Sequence, residues 1–406
     1  MNGTIQRSVR ILASVLVIAL AVAAAPGPRP APAVPAVVLL TMDGVRWDYP
    51  QREALPAFSS MAAAGWTARR LTPPFPSLTF PSHSTLATGA SPARHGIVAN
   101  NFLDRASGRR FSDEREASWL EVPPLWALAE RAGLKAAVRS WPCSQGAWNG
   151  TAPSFFQGYD GDARDGETVS WILGLLHRPA PDRPRLIMAW TRGADHAGHG
   201  EGPDSEGVRK AMREADRLLA GLRAGIAALG PSTPVDLLVV SDHGMAPVNR
   251  MVDVVKVIPK AGYYPFIATS GPLCNVYVKT EAQRRAVAAS LGRLPQGILS
   301  MTRAEVEKRF GYGGDRMGDF VLLCPPGATF ASFSRKGDRD VPRGMHGYDP
   351  SLPDMGGIFY AEGPQFPSGK TLAEVRAADI APTVCAVLRI PPPPSAAGRN
   401  LLVGSP

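Results

Sequence analysis

Three apolar runs constrain this chain more than anything else in it: Ala36–Met42 (AVVLLTM), Leu186–Thr191 (LIMAWT) and Val235–Ser241 (VDLLVVS). They are continuous or nearly so, as strands buried on both faces should be, whereas a strand with one wet face alternates apolar and polar residues. Such strands need helices on both sides of their sheet, and the intervening sequence supplies them. Leu55–Gly65 has a helical pattern closed by glycine. Pro123–Gly133 has a proline start and a glycine stop and leads into a further strand, Leu134–Trp141. The long helical stretch Ser205–Leu229 joins the second apolar run to the third. This alternation predicts an α/β fold around a central, mostly parallel sheet. From residue 246 to 341 the rhythm is irregular, and sheet-like pattern returns at Gly357–Ala361 before a last helix after Asp379. The expected organisation is a catalytic α/β body in two segments, 36–245 and 342–390, a small inserted subdomain over 246–341, and a C-terminal tail over 391–406.

Composition agrees. With 406 residues, 45% of them hydrophobic and 19% charged, the chain can bury a large core, which excludes a disordered or collagen-like protein. The net charge of +9 suits anionic small molecules, but the basic residues are scattered without a run, so no nucleic-acid duplex is expected as partner. Arg7 and Arg10 precede an apolar run, Ile11 to Ala25, followed by Pro26. That is the layout of a signal peptide (residues 1–25), with a Pro/Ala linker over 26–35 and a folded protein that is periplasmic or secreted. The run falls short of the roughly 20 residues that span a bilayer, and an uncleaved N-terminal anchor is the alternative. Cys143, Cys274, Cys324 and Cys385 lack CxxC spacing, so a zinc knuckle is not expected. Cys274 and Cys324 could pair, or the thiols stay free.

In open α/β sheets, ligands bind beyond the carboxyl ends of the strands. There this sequence concentrates its acids and histidines. Asp43 follows the first run, Asp242 and His243 follow the third (SDHG), Asp195 and His199 follow the second (DHAGH), and His346 lies in the loop before Gly357. Taken singly, an aspartate there reads as a helix cap and a histidine as a local hydrogen bonder. Together, oxygen and imidazole donors without a cysteine suit Zn²⁺, and Mn²⁺ fits similar donors. His83, His95, His177 and His196 take the ordinary reading, with His196 near enough to support the set. In the segment 73–101, Thr79 stands at or just before the start of a helix beginning near Pro81, where backbone N–H groups and the helix dipole favour an anion. Thr79 is either a helix cap or, beside metal ions, a nucleophile.

The strings LLTMDG, TFPSH…TG…P…HGIVANN, DHAGHGEGPDS, SDHGM and HGYDPSLPDMGGIF, in that order, resemble the nucleotide pyrophosphatase/phosphodiesterases of the alkaline phosphatase superfamily. The resemblance implies an alkaline-phosphatase-like three-layer sandwich and a hydrolase with two zinc ions and a threonine nucleophile. Carried over by motif, Asp43, Asp242 and His243 would hold the zinc that binds Thr79, and Asp195, His199 and His346 the other. Asn100 would donate to a non-bridging phosphoryl oxygen, and Phe80 and Trp190 would stack on a nucleobase. The reaction implied passes through phospho-threonine and releases a nucleoside monophosphate. WPCSQG after Leu134–Trp141 resembles the WPGS-type loop of the diesterases, with Cys143 in place of the usual glycine. Gln145, Gly146 and Ala147 follow, where related monoesterases carry Lys and Arg, so a diester is expected. The alternative keeps the metals and changes the substrate to a lipid headgroup diester or a phosphonate. A third reading is a non-enzymatic phosphate- or metal-binding protein.

Overall fold

Ala36–Met42 is buried at every position and lies at the centre of an eight-stranded sheet. This computed structural model describes residues 34–258, 266–331 and 341–403, so the expected signal peptide and most of the expected Pro/Ala linker lie outside the described residues. The strand order is Lys370–Leu372, Trp66–Ala68, Phe359–Glu362, Val235–Val240, Ala36–Met42, Leu186–Thr191, Ala136–Arg139 and Phe155–Gln157. Ala36–Met42 runs parallel to both neighbours, whereas Phe359–Glu362 is antiparallel to both of its own. The sheet is therefore mixed at one end and parallel where the apolar runs predict it.

Side-chain alternation along the first strand builds three layers. Val37 and Leu39 point to one core, shared with helices Thr79–Thr88, Leu125–Arg131 and Ile380–Leu388. Val38 and Leu40 point to the other, shared with Pro56–Ala64, Asp165–Leu176 and Glu206–Ala228. The long helix starts on Ser205, whose side chain accepts from the Val208 N–H, a standard cap worth about 1 kcal/mol. Further along, Asp216 accepts the Ala57 and Phe58 N–H groups at 2.9 and 3.1 Å, capping a neighbouring helix whose own flank, Leu55, cannot.

Between Phe266 and Leu323 the described strands form a separate four-stranded antiparallel sheet, accompanied by helices Glu281–Leu291 and Arg303–Phe310. Ala246–Val252 pairs with Gly327–Phe330 and Gly344–Met345, leading the chain back to the main sheet. All four cysteines are buried and free. The C-terminal residues return over the body, where Ala397 N–H donates to Gly89 O and Leu401 N–H to Thr383 Oγ1. No helix among the described residues is long and apolar enough to cross a membrane.

Register is what positions the site. Met42 pairs with Thr191, and Thr41 pairs with Val240, so three strands end level. Whatever follows them in sequence emerges at one edge.

Candidate metal centre

Asp43, Asp195 and Asp242 emerge at that edge together. The turn after the first strand is tight because Gly44 takes a φ of 65°, and a Cβ there would lie 2.7 Å from the Asp195 Cα. Gly193 makes the reciprocal approach, with φ of 50° and no room for a Cβ against the Asp43 carbonyl. Gly44 N–H donates to Asp242 Oδ1 at 3.1 Å, and Asp43 N–H to Thr191 O at 3.0 Å. The close packing of three acids is thus built into the backbone.

Each acid keeps one buried oxygen without a hydrogen bond: Asp43 Oδ1, Asp195 Oδ1 and Asp242 Oδ2. An unsatisfied buried carboxylate oxygen is expensive, so these three call for a partner. Imidazole nitrogens surround them. His243 Nε2 lies 3.0 Å from Asp242 Oδ2 and 3.6 Å from Asp43 Oδ1. His199 Nε2 and His346 Nε2 lie 3.3 and 3.7 Å from Asp195 Oδ1. The rings of His243 and His346 stack at 3.5 Å.

The histidines' outer nitrogens settle their tautomers. Nδ1–H of His243 donates to Gly244 O, that of His199 to Gly344 O, and that of His346 to Ser77 O, at 2.9, 2.9 and 3.1 Å. In the neutral ring Nε2 then carries the lone pair and faces the acids, the arrangement a metal ligand needs. His83 differs, because its Nδ1–H donates to Thr79 O and its Nε2 accepts from Thr41 Oγ1, both at 2.9 Å. Both nitrogens are committed, so it braces Thr79 rather than offering a lone pair. The ordinary reading of His83 understated its place, since it also lies 3.4 Å from Asp242 Oδ2.

Electrostatics shows the same strain. Burial, then the charges of Asp242 and Asp195, push the Asp43 carboxyl well above its ordinary value. Burial and the neighbouring His243 hold His346 down to about 3. Burial opposes ionisation of Asp195 too, but His199 and His346 outweigh it and hold its carboxyl low. His199 rises to about 9: burial would lower it, and the Asp195 charge more than offsets that. Three sets of side chains each bring their donor atoms within 4.8 Å of one another: Asp195, His199 and His346; Asp43, Asp195 and His243; and Asp43, His83 and Asp242, the last with His83 already committed to Thr41 and Thr79. Oxygen and nitrogen donors, unsatisfied oxygens and correctly oriented imidazoles fit a divalent cation.

Thr79 opens helix Thr79–Thr88, and its Oγ1 lies 3.2 Å from His243 Nε2. The flank Leu78 offers no cap, and the orphan Phe80 N–H is taken by Asn100 Oδ1 at 3.2 Å. With its oxygen so used, the Asn100 amide NH₂ remains as donor at the helix start. Phe80 exposes only 7% of its surface and meets Phe111 edge-on at 5.4 Å. Trp190 is half-buried and donates its indole N–H to Asp43 Oδ2 at 2.8 Å.

One aromatic has no counterpart in the motif reading. Tyr159 is 42% exposed, packs on Trp190 with ring centroids 5.5 Å apart, and carries the Arg115 guanidinium 3.8 Å above its face. Nothing local marks it, because it stands in a loop and meets Trp190 only through the fold. Arg115 is also a cation beside the 141–146 loop, since its carbonyl accepts the Gln145 N–H. Within that loop Cys143 is buried with φ of 55°, the left-handed conformation in which glycine is at ease.

The family described as type I phosphodiesterase / nucleotide pyrophosphatase matches residues 37–349. The chain is 28% identical over 378 residues to ectonucleotide pyrophosphatase/phosphodiesterase family member 3 of Mus musculus, covering 89% of this chain and 43% of that protein. It is also 28% identical over 379 residues to an uncharacterised pyrophosphatase/phosphodiesterase of Schizosaccharomyces pombe, covering 88% of this chain and 78% of that one. The chain thus spans less than half of the mouse relative. Among solved structures, murine ectonucleotide pyrophosphatase/phosphodiesterase 5 superposes with a TM-score of 0.81 at 26% identity, covering 88% of this chain and 96% of that chain. An inactive variant of that murine protein has been solved in complex with AMP, with the same score and coverage.

Proposed function

The chain belongs to the type I phosphodiesterase / nucleotide pyrophosphatase family, and from that premise we propose that it is a metal-dependent hydrolase of nucleotide phosphodiester or pyrophosphate bonds that releases a nucleoside monophosphate. The observation that carries this reading is the set of three buried, unsatisfied carboxylate oxygens facing imidazole nitrogens, with Thr79 Oγ1 3.2 Å from one of them. Asp43, Asp242 and His243 would hold one zinc ion, and Asp195, His199 and His346 the other. Bound there, divalent cations lower the pKa of a nearby hydroxyl and offset charge on a leaving oxygen.

The remaining work falls to this chain's own residues. Thr79 Oγ1 attacks phosphorus in line with the leaving oxygen, forming phospho-threonine as the P–O bond to the leaving group breaks. Water then cleaves the new ester and restores the hydroxyl. The amide NH₂ of Asn100 donates to a non-bridging oxygen, and the helix N-terminus favours the anion it faces. His83 fixes the Thr79 carbonyl to the first strand through Thr41. We assign base stacking, worth about 1–3 kcal/mol, to the exposed Tyr159 ring with Trp190 packed against it, and to Phe80 beside Thr79. A protein of this family with AMP bound in a solved structure supports a nucleotide over the lipid or phosphonate alternative.

We place the enzyme outside the cytoplasm, on the layout of its first 25 residues, and treat 246–341 as a subdomain inserted in the 36–245 and 342–390 body. The test is paired initial rates on bis(4-nitrophenyl) phosphate and 4-nitrophenyl phosphate, with zinc-loaded protein and Thr79→Ala as control. A strong diester preference, abolished in the control, supports the proposal. A monoester preference overturns the argument from Gln145, Gly146 and Ala147.

A further inference from the structure

By sequence Trp190 is two things, a member of the apolar run Leu186–Thr191 and the stacking face for a base that the resemblance implies. Its strongest contact is neither. Trp190 pairs with Thr41 across the central strands, one step before Met42 pairs with Thr191. That register places its indole over the turn that carries Asp43, and Nε1–H donates to Asp43 Oδ2 at 2.8 Å. The Asp43 backbone is tied to the same strand through its N–H to Thr191 O at 3.0 Å. Both bonds come from neighbouring residues of one strand, so the carboxylate plane is set from the sheet itself. The consequence lies on the other oxygen. With Oδ2 committed, Oδ1 alone faces inward, buried, without a hydrogen bond, and 3.6 Å from His243 Nε2.

We propose that Trp190 is a positioning residue that holds Asp43 as a one-oxygen ligand, with Oδ1 presented to a divalent cation and Oδ2 held by the indole N–H. This rests on the metal-site reading given above. An N–H donor to the non-ligating oxygen orients a ligand carboxylate and stabilises its charged form, and loss of such a partner costs about 10–100-fold in metal affinity. The indole suits the task because it donates and cannot accept, so it never competes for the cation. Tyr159 meets the indole ring edge to face with centroids 5.5 Å apart, whereas the bond to Asp43 Oδ2 is the indole's own, so Tyr159 serves as the stacking control.

Phenylalanine at 190 separates the two roles, because it keeps an aromatic face and removes the N–H. The experiment is chelator-competition titration of Zn²⁺ on the full chain, wild type beside Trp190→Phe and Tyr159→Ala, with kcat and KM measured at saturating Zn²⁺. The expected result is a loss of about 10–100-fold in Zn²⁺ affinity for Trp190→Phe, a fall in kcat with KM little changed, and the reverse split for Tyr159→Ala. Wild-type Zn²⁺ affinity in Trp190→Phe, with the loss confined to KM, overturns the proposal and leaves stacking. Absence of Zn²⁺ binding by the wild type would instead sink the metal-site reading. Should Trp190→Phe not fold, the ¹⁵N-indole spectrum of the unsubstituted protein decides: one of its eight tryptophan N–H signals shifts as Zn²⁺ is added, and no shift overturns the proposal.

Discussion

Thr79 Oγ1 and His243 Nε2 lie 3.2 Å apart, one at the start of a helix and the other just past the end of a central strand. A serine or threonine in a helix's first turn ordinarily turns its oxygen back on the backbone. Here the Thr79 hydroxyl faces the acids and imidazoles, and the backbone N–H of Phe80 is satisfied by Asn100 instead. The side chain is released from capping, which a nucleophile requires. Thr79→Ala is expected to lower kcat by about a thousandfold or more, with Zn²⁺ still bound in chelator competition through the aspartates and histidines that remain. Thr79→Ser, which keeps the oxygen, should retain measurable turnover. A Thr79→Ala enzyme that still forms an acid-stable phosphoryl adduct would place the nucleophile elsewhere.

Asn100 is expected to act late, in the transition state. Its Oδ1 is held by the Phe80 N–H, which aims the NH₂ group. Removing such a donor typically costs about 10²–10³ in kcat. Asn100→Ala should show that loss in kcat with a smaller change in KM, read from steady-state kinetics on a nucleotide diester. A rise in KM with kcat unchanged would make Asn100 a binding residue only.

Cation binding should stabilise the fold. Without a cation, three carboxylates converge in a buried site, and the Asp43 carboxyl is pushed far up by burial and by its acidic neighbours. Saturating Zn²⁺ at about a hundred times its Kd is expected to add about 3 kcal/mol. Calorimetric melts with and without a chelator check this. Identical melting temperatures would mean that the acids carry protons and bind nothing.

Much of this was legible in the sequence because the signals were local. The apolar run Ala36–Met42 became a strand with those limits, and Leu186–Thr191 likewise. Strand ends are where α/β ligands gather, so Asp43, Asp195, Asp242 and His243 could be grouped before any coordinates. What could not be read are contacts made at right angles to the chain. The bonds of His199 Nδ1 to Gly344 O and His346 Nδ1 to Ser77 O join residues 145 and 269 positions apart. His83 resembled a spare histidine because its partners, Thr41 on one strand and Asp242 just past the end of another, are far from it in sequence. Trp190 read as a stacking face because a sequence shows the ring and not the direction of its N–H. Phe80 stands beside Thr79 in sequence, yet most of its surface is spent on the core with Phe111.

Gly44 tests whether backbone approach sets the acid cluster. Its φ of 65° disfavours any side chain, and a Cβ would sit 2.7 Å from the Asp195 Cα, which is backbone and cannot swing aside. Gly44→Ala must therefore part the Asp43 turn from Asp195. A stability loss of about 1–3 kcal/mol is expected in urea unfolding, together with weakened Zn²⁺ binding in chelator competition. Unchanged Zn²⁺ affinity would show that the cluster tolerates the displacement.

Asp236 offers a prediction away from the site, with a definite sign. It is fully buried on Val235–Val240, its Oδ1 accepts the Gln365 N–H at 2.9 Å, and its Oδ2 has no partner. Burial pushes its carboxyl from 3.8 up to about 7. The folded protein thus keeps this proton to higher pH than the unfolded chain does. Between those two values the unfolded state binds fewer protons, so stability must fall as pH rises through the window and level off above it. At 1.4 kcal/mol per pH unit the loss is at most about 4 kcal/mol, and relaxation around the unpaired oxygen reduces it. Asparagine keeps the acceptor for Gln365 and removes the titration. Asp236→Asn should therefore be the more stable protein at pH 8 and lose most of that advantage at pH 5. His95, which burial holds down to about 3, adds an opposite, acid-side loss of stability as pH falls through the ordinary histidine range. It does so equally in both proteins, so the difference between their urea midpoints at the two pH values isolates Asp236. A difference that does not change with pH would mean that this carboxyl is already ionised, and stably so, in the folded protein at pH 5.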